Sequence, residues 1–170
     1  DMPFNQTFTV PTILTLRTTQ DGIRMFATPI KELEQLRQPA PKTAANMELT
    51  AEAPVVSFDV EDQLFDIVVK IKNGTASQAV LRFGENAVTY DFAQQKLDEM
   101  PLKMQQDRVT FRVLVDRPMF EVLGGGGACY KTSGRRDMGK SVGTISLTAE
   151  GGSLRVESLK LFRMNSVWKR

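Results

Sequence analysis

The chain has no histidine and a single cysteine, Cys129, among its 170 residues. Without histidine, every Ser-His-Asp or Cys-His nucleophile arrangement is excluded. A zinc site of the usual Cys/His kind is excluded with them. One cysteine cannot form an intramolecular disulfide. Aromatics of the amphipathic kind are few: one tryptophan and two tyrosines. No apolar run approaches the ~20 residues that span a bilayer. No basic stripe interleaved with aromatics is present, so neither a nucleic acid nor a membrane is expected as a partner.

What remains is ordinary in amount. The chain is 41% hydrophobic and 25% charged, with a formal net charge of +2. Its length fits one domain whose core needs no covalent staple. It begins at Asp1 with no signal peptide, so it reads as a processed or excised piece whose targeting information lay upstream.

Runs of period two dominate. Phe65, Ile67, Val69 and Ile71 alternate with mostly polar residues, as do Val109, Phe111, Val113 and Val115. Each set predicts one core-facing strand face. Leu154 and Val156 lie on one parity and Leu159 and Leu161 on the other, which predicts a β-bulge near Glu157-Ser158. Further strands are predicted at Phe8–Val10, Thr12–Arg17, Gly22–Phe26, Met47–Ala51, Val55–Val60, Ala79–Phe83, Ala87–Phe92, Met119–Leu123, Cys129–Thr132 and Thr144–Thr148. Turn signals such as Asn73-Gly74 and Gly151-Gly152 separate them. About a dozen strands at this spacing predict two packed antiparallel sheets. One helix is expected over Pro29–Leu36, with Thr28 as its cap and Pro29 in the first helical position.

With histidine-based nucleophiles and Cys/His zinc sites excluded, paired carboxylates are the remaining route to catalysis. A retaining glycosidase needs two of them about 5 Å apart. Asp59 with Glu61 and Asp98 with Glu99 are the candidates, and both pairs read as solvated charge. Gly124 to Gly127 reads as a hairpin tip, because Ala128-Cys129-Tyr130 has strand character where a phosphate loop needs a helix. Asp116-Arg117 reads as a turn. Cys129 reads as a small buried hydrophobe. Phe58, Phe65, Phe83, Phe92 and Phe111 are assigned to the core. The candidates for a sugar-stacking platform are Tyr90, Tyr130 and Trp168. Trp168 also suits packing against the sandwich or against a missing domain.

Three segments carry a resemblance. The first is Met2-Pro3-Phe4-Asn5-Gln6 followed by Phe8-Thr9-Val10-Pro11 and Leu14-Thr15-Leu16-Arg17. It continues through Asp21-Gly22-Ile23-Arg24-Met25-Phe26 and Pro29–Arg37. The second is Val113-Leu114-Val115-Asp116-Arg117 followed by Phe120-Glu121-Val122. The third runs from Val156 to Met164 and closes on Ser166-Val167-Trp168. In this order they resemble the C-terminal sandwich of glycoside hydrolase family 32, the levanases, inulinases and invertases. The four glycines after Leu123 depart from the family's usual aromatic and Asn/Asp-Gly turn.

The resemblance implies an all-β, two-sheet antiparallel β-sandwich of the jelly-roll, concanavalin A-like kind with one short helix. It implies residues 1–7 as the junction from an N-terminal five-bladed catalytic propeller and residues 8–170 as the sandwich. In such parents the catalytic motifs lie on the propeller, and none of them occurs here. Arg136-Asp137-Met138 only superficially matches the family's Arg-Asp-Pro. The implied role is to stabilise a propeller that hydrolyses levan, inulin or sucrose, without cofactor or metal in this chain. The alternative is a carbohydrate-binding module recognising fructans. A homodimer contact and a secreted, periplasmic or cell-surface location also fit the family.

Overall fold

Alternation becomes burial where two sheets close on each other. In a computed structural model the described residues are 8–167. They form a hairpin of β1 (Thr12–Thr19) and β2 (Gly22–Pro29), then a 3₁₀ segment, Lys31–Leu36. The strands β3 (Lys42–Leu49), β4 (Val55–Val60), β5 (Phe65–Asn73), β6 (Gln78–Phe83) and β7 (Asn86–Asp91) follow. Two short strands come next, β8 (Lys96–Leu97) and β9 (Met100–Pro101). The rest are β10 (Arg108–Val115), β11 (Met119–Gly124), β12 (Cys129–Gly134), β13 (Gly143–Glu150) and β14 (Leu154–Arg163).

Two six-stranded antiparallel sheets result. The first has the order β12-β11-β10-β5-β14-β3 and the second β4-β13-β6-β7-β8-β9. At the centre of the first sheet, Val113 pairs with both Ile67 and Val122, and Phe111 pairs with Val69. All of these are buried and face one core. The second sheet supplies Leu81, Phe83, Val88, Ile145 and Leu147 to the same core. Phe83 of one sheet meets Phe120 of the other edge to face, at 5.0 Å between ring centroids. The expected bulge is present. The β14 register shifts between Val156 and Ser158, so Leu154, Val156, Leu159 and Leu161 all end in the core.

Three expectations are corrected. Thr28 does not cap a helix and Pro29 does not begin one. Both belong to β2, where Thr28 pairs with Ile13 and Pro29 with Thr12. Among the described residues helical structure is confined to one 3₁₀ segment of 6 residues that starts after Ile30 and has no side-chain cap. Two turns make a poor helical nucleus, and the hairpin ladder offers Thr28 and Pro29 a better use. Phe8–Val10 is not a strand, because the Val10 amide bonds a side chain instead of a ladder. The third strand begins at Lys42, before the predicted Met47.

Candidate functional site

On the side away from the core, the first sheet does not face water throughout. Asp66, Leu114, Glu121 and Thr132 are register neighbours across β5, β10, β11 and β12. They occupy the parity opposite to Ile67, Val113 and Val122, so they point outward. Yet Asp66, Leu114 and Glu121 are buried. The cover is the chain from Phe8 to Gln38, which runs over this outer face as a strap.

Glu121 fastens the start of the strap. Its Oε1 accepts the Val10 amide at 2.7 Å, and its Oε2 accepts the Tyr130 hydroxyl. Burial pushes the Glu121 carboxyl above the usual range. The hydrogen bonds from Tyr130 and Val10 oppose that shift, and the Asp116 charge adds to it. Tyr130 is pushed up to about 12, first by burial and then by its bond to Glu121, while its contacts with Thr132 and Thr9 act the other way. A buried acid without a cation is costly, so this clasp draws its hold from hydrogen bonds.

Asp66 fastens the end of the strap in a different way. Arg112 reaches both of its oxygens, Nε to Oδ1 and Nη2 to Oδ2, each at 2.7 Å. Arg37, at the exit of the 3₁₀ segment, donates Nε to Oδ2 at 2.7 Å. The Arg37 guanidinium also lies 4.3 Å from the centre of the Phe162 ring. Such forked, charge-assisted bonds are the strong kind. The backbone adds Gln38 N to Arg163 O at 2.8 Å and Asn165 N to Leu36 O at 2.7 Å.

The middle of the strap docks on the glycine tip. The Ala27 amide donates to Gly127 O at 3.0 Å. Gly127 has φ +96, and a Cβ there would stand 2.4 Å from Ala27 O. Glycine is required at this position both for its backbone and for the approach of β2. Between strap and sheet lies a cavity of about 230 Å³ whose wall includes Phe8, Pro11, Leu33, Met119, Glu121 and Val167. It is mainly apolar.

The residues singled out from the sequence fall elsewhere or in other roles. Tyr90 is wholly buried, its hydroxyl bonds Leu102 O at 2.8 Å, and its ring meets Phe92; it offers no face to a sugar. Tyr130 is half-buried in the Glu121 clasp. Trp168 and the junction residues Met2, Pro3 and Phe4 lie outside the described residues. Asp59 accepts the Thr144 hydroxyl at 3.1 Å, and Glu61 lines the same cleft. Asp98 accepts the Thr89 amide at 2.9 Å and faces Lys131 at 3.6 Å. Asp116 accepts the Arg117 amide at 2.6 Å within its turn. Cys129 is buried, and that burial pushes its thiol up. Asp137 sits in a buried knot with Arg135 at 3.0 Å and Asn86 at 2.7 Å. Its own burial works against ionisation, but the bonds from Arg135, Asn86 and the Glu85 amide prevail and hold it at about 2. An acid so held bonds neighbouring loops and is unsuited to shuttling protons near neutral pH.

Glu121 was visible only as part of a motif, and its role as a tether was missed. Its signal is a run, Met119-Phe120-Glu121-Val122-Leu123, that fails to alternate. Such a run marks a strand covered on both faces.

No family model matches the chain. Two curated relatives are levanases, from Bacillus sp. strain L7 and Bacillus subtilis strain 168. Each is 27% identical, over 187 and 193 residues. The alignments cover 94% and 98% of this chain but only 20% and 28% of the relatives' own length. Among solved structures, the exo-inulinase from Aspergillus awamori superposes with a TM-score of 0.81 at 19% identity. The match covers 94% of this chain and 36% of that one. The fructofuranosidase from Schwanniomyces occidentalis gives 0.72 at 14%, covering 93% and 40%. At these identities the structures share the fold. The levanase likeness runs along nearly the whole sequence, so the chain is similar to one part of the levanases and shares the β-sandwich fold of the matching part of the exo-inulinase.

Proposed function

We propose that this chain is the non-catalytic sandwich module of a β-fructofuranosidase-type glycoside hydrolase and that it stabilises the catalytic domain in cis. In this reading a five-bladed propeller precedes residue 8, residues 1–7 join it to the sandwich at 8–170, and hydrolysis of levan, inulin or sucrose belongs to the propeller. A location outside the cytoplasm is part of the same reading. The observation that carries it is the Glu121 clasp. The Val10 amide is bonded to a buried carboxylate of the sheet at 2.7 Å, so the start of the strap is fixed on the sandwich. A fixed departure point limits the relative motion that is the default between domains. The likeness to only 20% and 28% of two levanases adds support.

The test compares the parent enzyme with a version lacking this module. Loss of the module is expected to lower the melting temperature of the remainder by several degrees and its soluble yield with it. An unchanged melting temperature would refute the stabilising role. The purified 170-residue chain, incubated with sucrose, levan or inulin, is expected to release no fructose. Release at an enzyme-like rate, abolished by one carboxylate substitution, would refute the assignment of the chemistry to another domain.

A further inference from the structure

Asn73 ends β5, and Gly74 opens the crossover that carries the chain from the first sheet into β6 of the second. This crossover is pinned to Ser153, just ahead of β14. Thr75 and Ala76 both donate their amides to Ser153 O at 2.9 Å, and Asn73 donates its own to Asp107 O at 2.8 Å. The Gly74 amide makes no such bond among the described residues. A Cβ at position 74 would stand 2.7 Å from Ser153 O, so the close approach of Ser153 requires glycine here. The fold therefore places an exposed glycine, with no side chain to shield its nitrogen, directly after an asparagine.

We infer that Asn73 is a site of spontaneous deamidation, with water as the only co-reactant, and that its conversion loosens the crossover. Asparagine is among the thermally labile residues. The Gly74 nitrogen, its proton lost to solvent base, attacks Asn73 Cγ. The N–Cγ bond forms, the Cγ–Nδ2 bond breaks, and the side-chain nitrogen leaves as ammonia. Water then opens the cyclic imide. Cleavage of the new N–Cγ bond leaves aspartate. Cleavage between the Gly74 nitrogen and the main-chain carbonyl carbon of residue 73 leaves isoaspartate, with the backbone rerouted through Cβ and Cγ. Asn73 is singled out by its surroundings. Its Oδ1 is buried with no hydrogen-bond partner among the described residues, so it breaks no bond in turning toward Gly74. The other described asparagines are held or shielded. Asn86 donates Nδ2 to Phe83 O at 3.3 Å and to Asp137 Oδ1 at 2.7 Å, and its Oδ1 accepts the Arg136 amide at 3.0 Å. Asn165 accepts Gln38 Nε2 at 3.1 Å and donates its amide to Leu36 O at 2.7 Å. Asn46 is followed by Met47, which has a side chain beside the attacking nitrogen and pairs with Val156 in the ladder. Either product strains the crossover. Isoaspartate adds a methylene to the backbone just before the bonds to Ser153 O, and aspartate puts a charge where a buried oxygen already lacks a partner.

Peptide mapping by mass spectrometry tests the inference on the folded chain held at mildly alkaline pH. The peptide containing Asn73 is expected to gain one mass unit at least fivefold faster than the peptides containing Asn46, Asn86 or Asn165. Enzymatic carboxyl methylation is expected to detect isoaspartate at the same position. Asn73→Gln is expected to remove the gain, because its ring closure needs a less accessible six-membered imide. The same chain unfolded in urea supplies the reference rate. A folded chain that stays unmodified at Asn73 while the unfolded chain reacts would overturn the inference, since the fold would then shield the pair. Equal rates at Asn46 or Asn165 in the folded chain would overturn the selection of Asn73. In the converted chain the Thr75 and Ala76 amides are expected to lose hydrogen-exchange protection before the core strands do. Undiminished protection there would overturn the loosening of the crossover.

Discussion

Strand β11 and the β1–β2 ribbon are built from similar residues and meet opposite fates. Met119, Phe120, Val122 and Leu123 are all buried, and so is the glutamate among them. Leu14, Leu16, Ile23 and Met25 stand in the open. Propensity does not separate the two, since both are rich in strand formers. What separates them is what lies above. The core covers one face of β11 and the strap covers the other, whereas Leu14, Leu16, Ile23 and Met25 of the ribbon have no such cover among the described residues. Apolar surface stabilises a fold only when it leaves water. The same kind of sequence therefore supplies stability in β11 and exposed apolar surface in the ribbon.

The sharpest way to break the covered side is Val113→Asp. Val113 lies at the centre of the first sheet, wholly buried between Ile67 and Val122. An unpaired carboxylate there costs several kcal/mol, on the scale of a whole domain's stability. The variant is expected to be unfolded or insoluble, and a cooperative unfolding transition at the wild-type temperature would show the faces reversed. Asp66→Ala is next. It strands Arg37 and Arg112 without their shared acceptor, at a cost of about 3–5 kcal/mol. Urea denaturation should show a lower midpoint, with the 3₁₀ segment losing hydrogen-exchange protection before the sheets do.

Glu121→Gln sharpens the comparison between the strap's two clasps. A carboxyl raised in the folded state contributes stability that is present below its unfolded pKa and is lost as pH rises through the folded value. The raised pKa of Glu121 therefore predicts that wild type weakens relative to Glu121→Gln between acid and neutral pH. Chemical denaturation of both proteins at pH 4 and pH 8 measures the difference, and a gap that widens in favour of wild type at pH 8 would contradict the sign. Asp137 is expected to behave in the opposite sense. Held at about 2, it contributes stability above its unfolded value that is lost as acid approaches pH 2. Leu16→Gln probes the uncovered side and has the smallest effect. In the isolated chain its melting temperature should match wild type, with a change within about 0.5 kcal/mol.

The strands that face a single core were readable because alternation has one physical meaning there. Phe65 to Ile71 and Val109 to Val115 put every second residue into the core, and the parity change in β14 required a bulge that is present. One short helix is present, but its start was misread because Thr28 and Pro29 had a second use in the hairpin ladder, a pairing with Ile13 and Thr12. The two-residue strands β8 and β9 are too short to alternate. Asp66 sits on the parity that reads as solvent-facing, so nothing local distinguished a buried clasp from a surface charge, whereas Glu121 lies in a run whose lack of alternation was its one local sign. Tyr90 was an open candidate for the same reason: a strand tyrosine can point either way, and here it points inward onto Leu102 O.

Sequence alone determined the exclusions and the inward faces. A chain without histidine and with one cysteine has no route to several chemistries whatever its fold, and period-two runs bury one side by the geometry of the pleat. Only the tertiary structure decided which outward faces are covered. The strap joins Val10 to Glu121 across 111 positions and Arg37 to Asp66 across 29. Contacts that distant leave no local period in either partner. Whether an outward side chain becomes a clasp, as at Glu121, or a bare apolar face, as at Leu16, depends on where another segment of chain comes to rest.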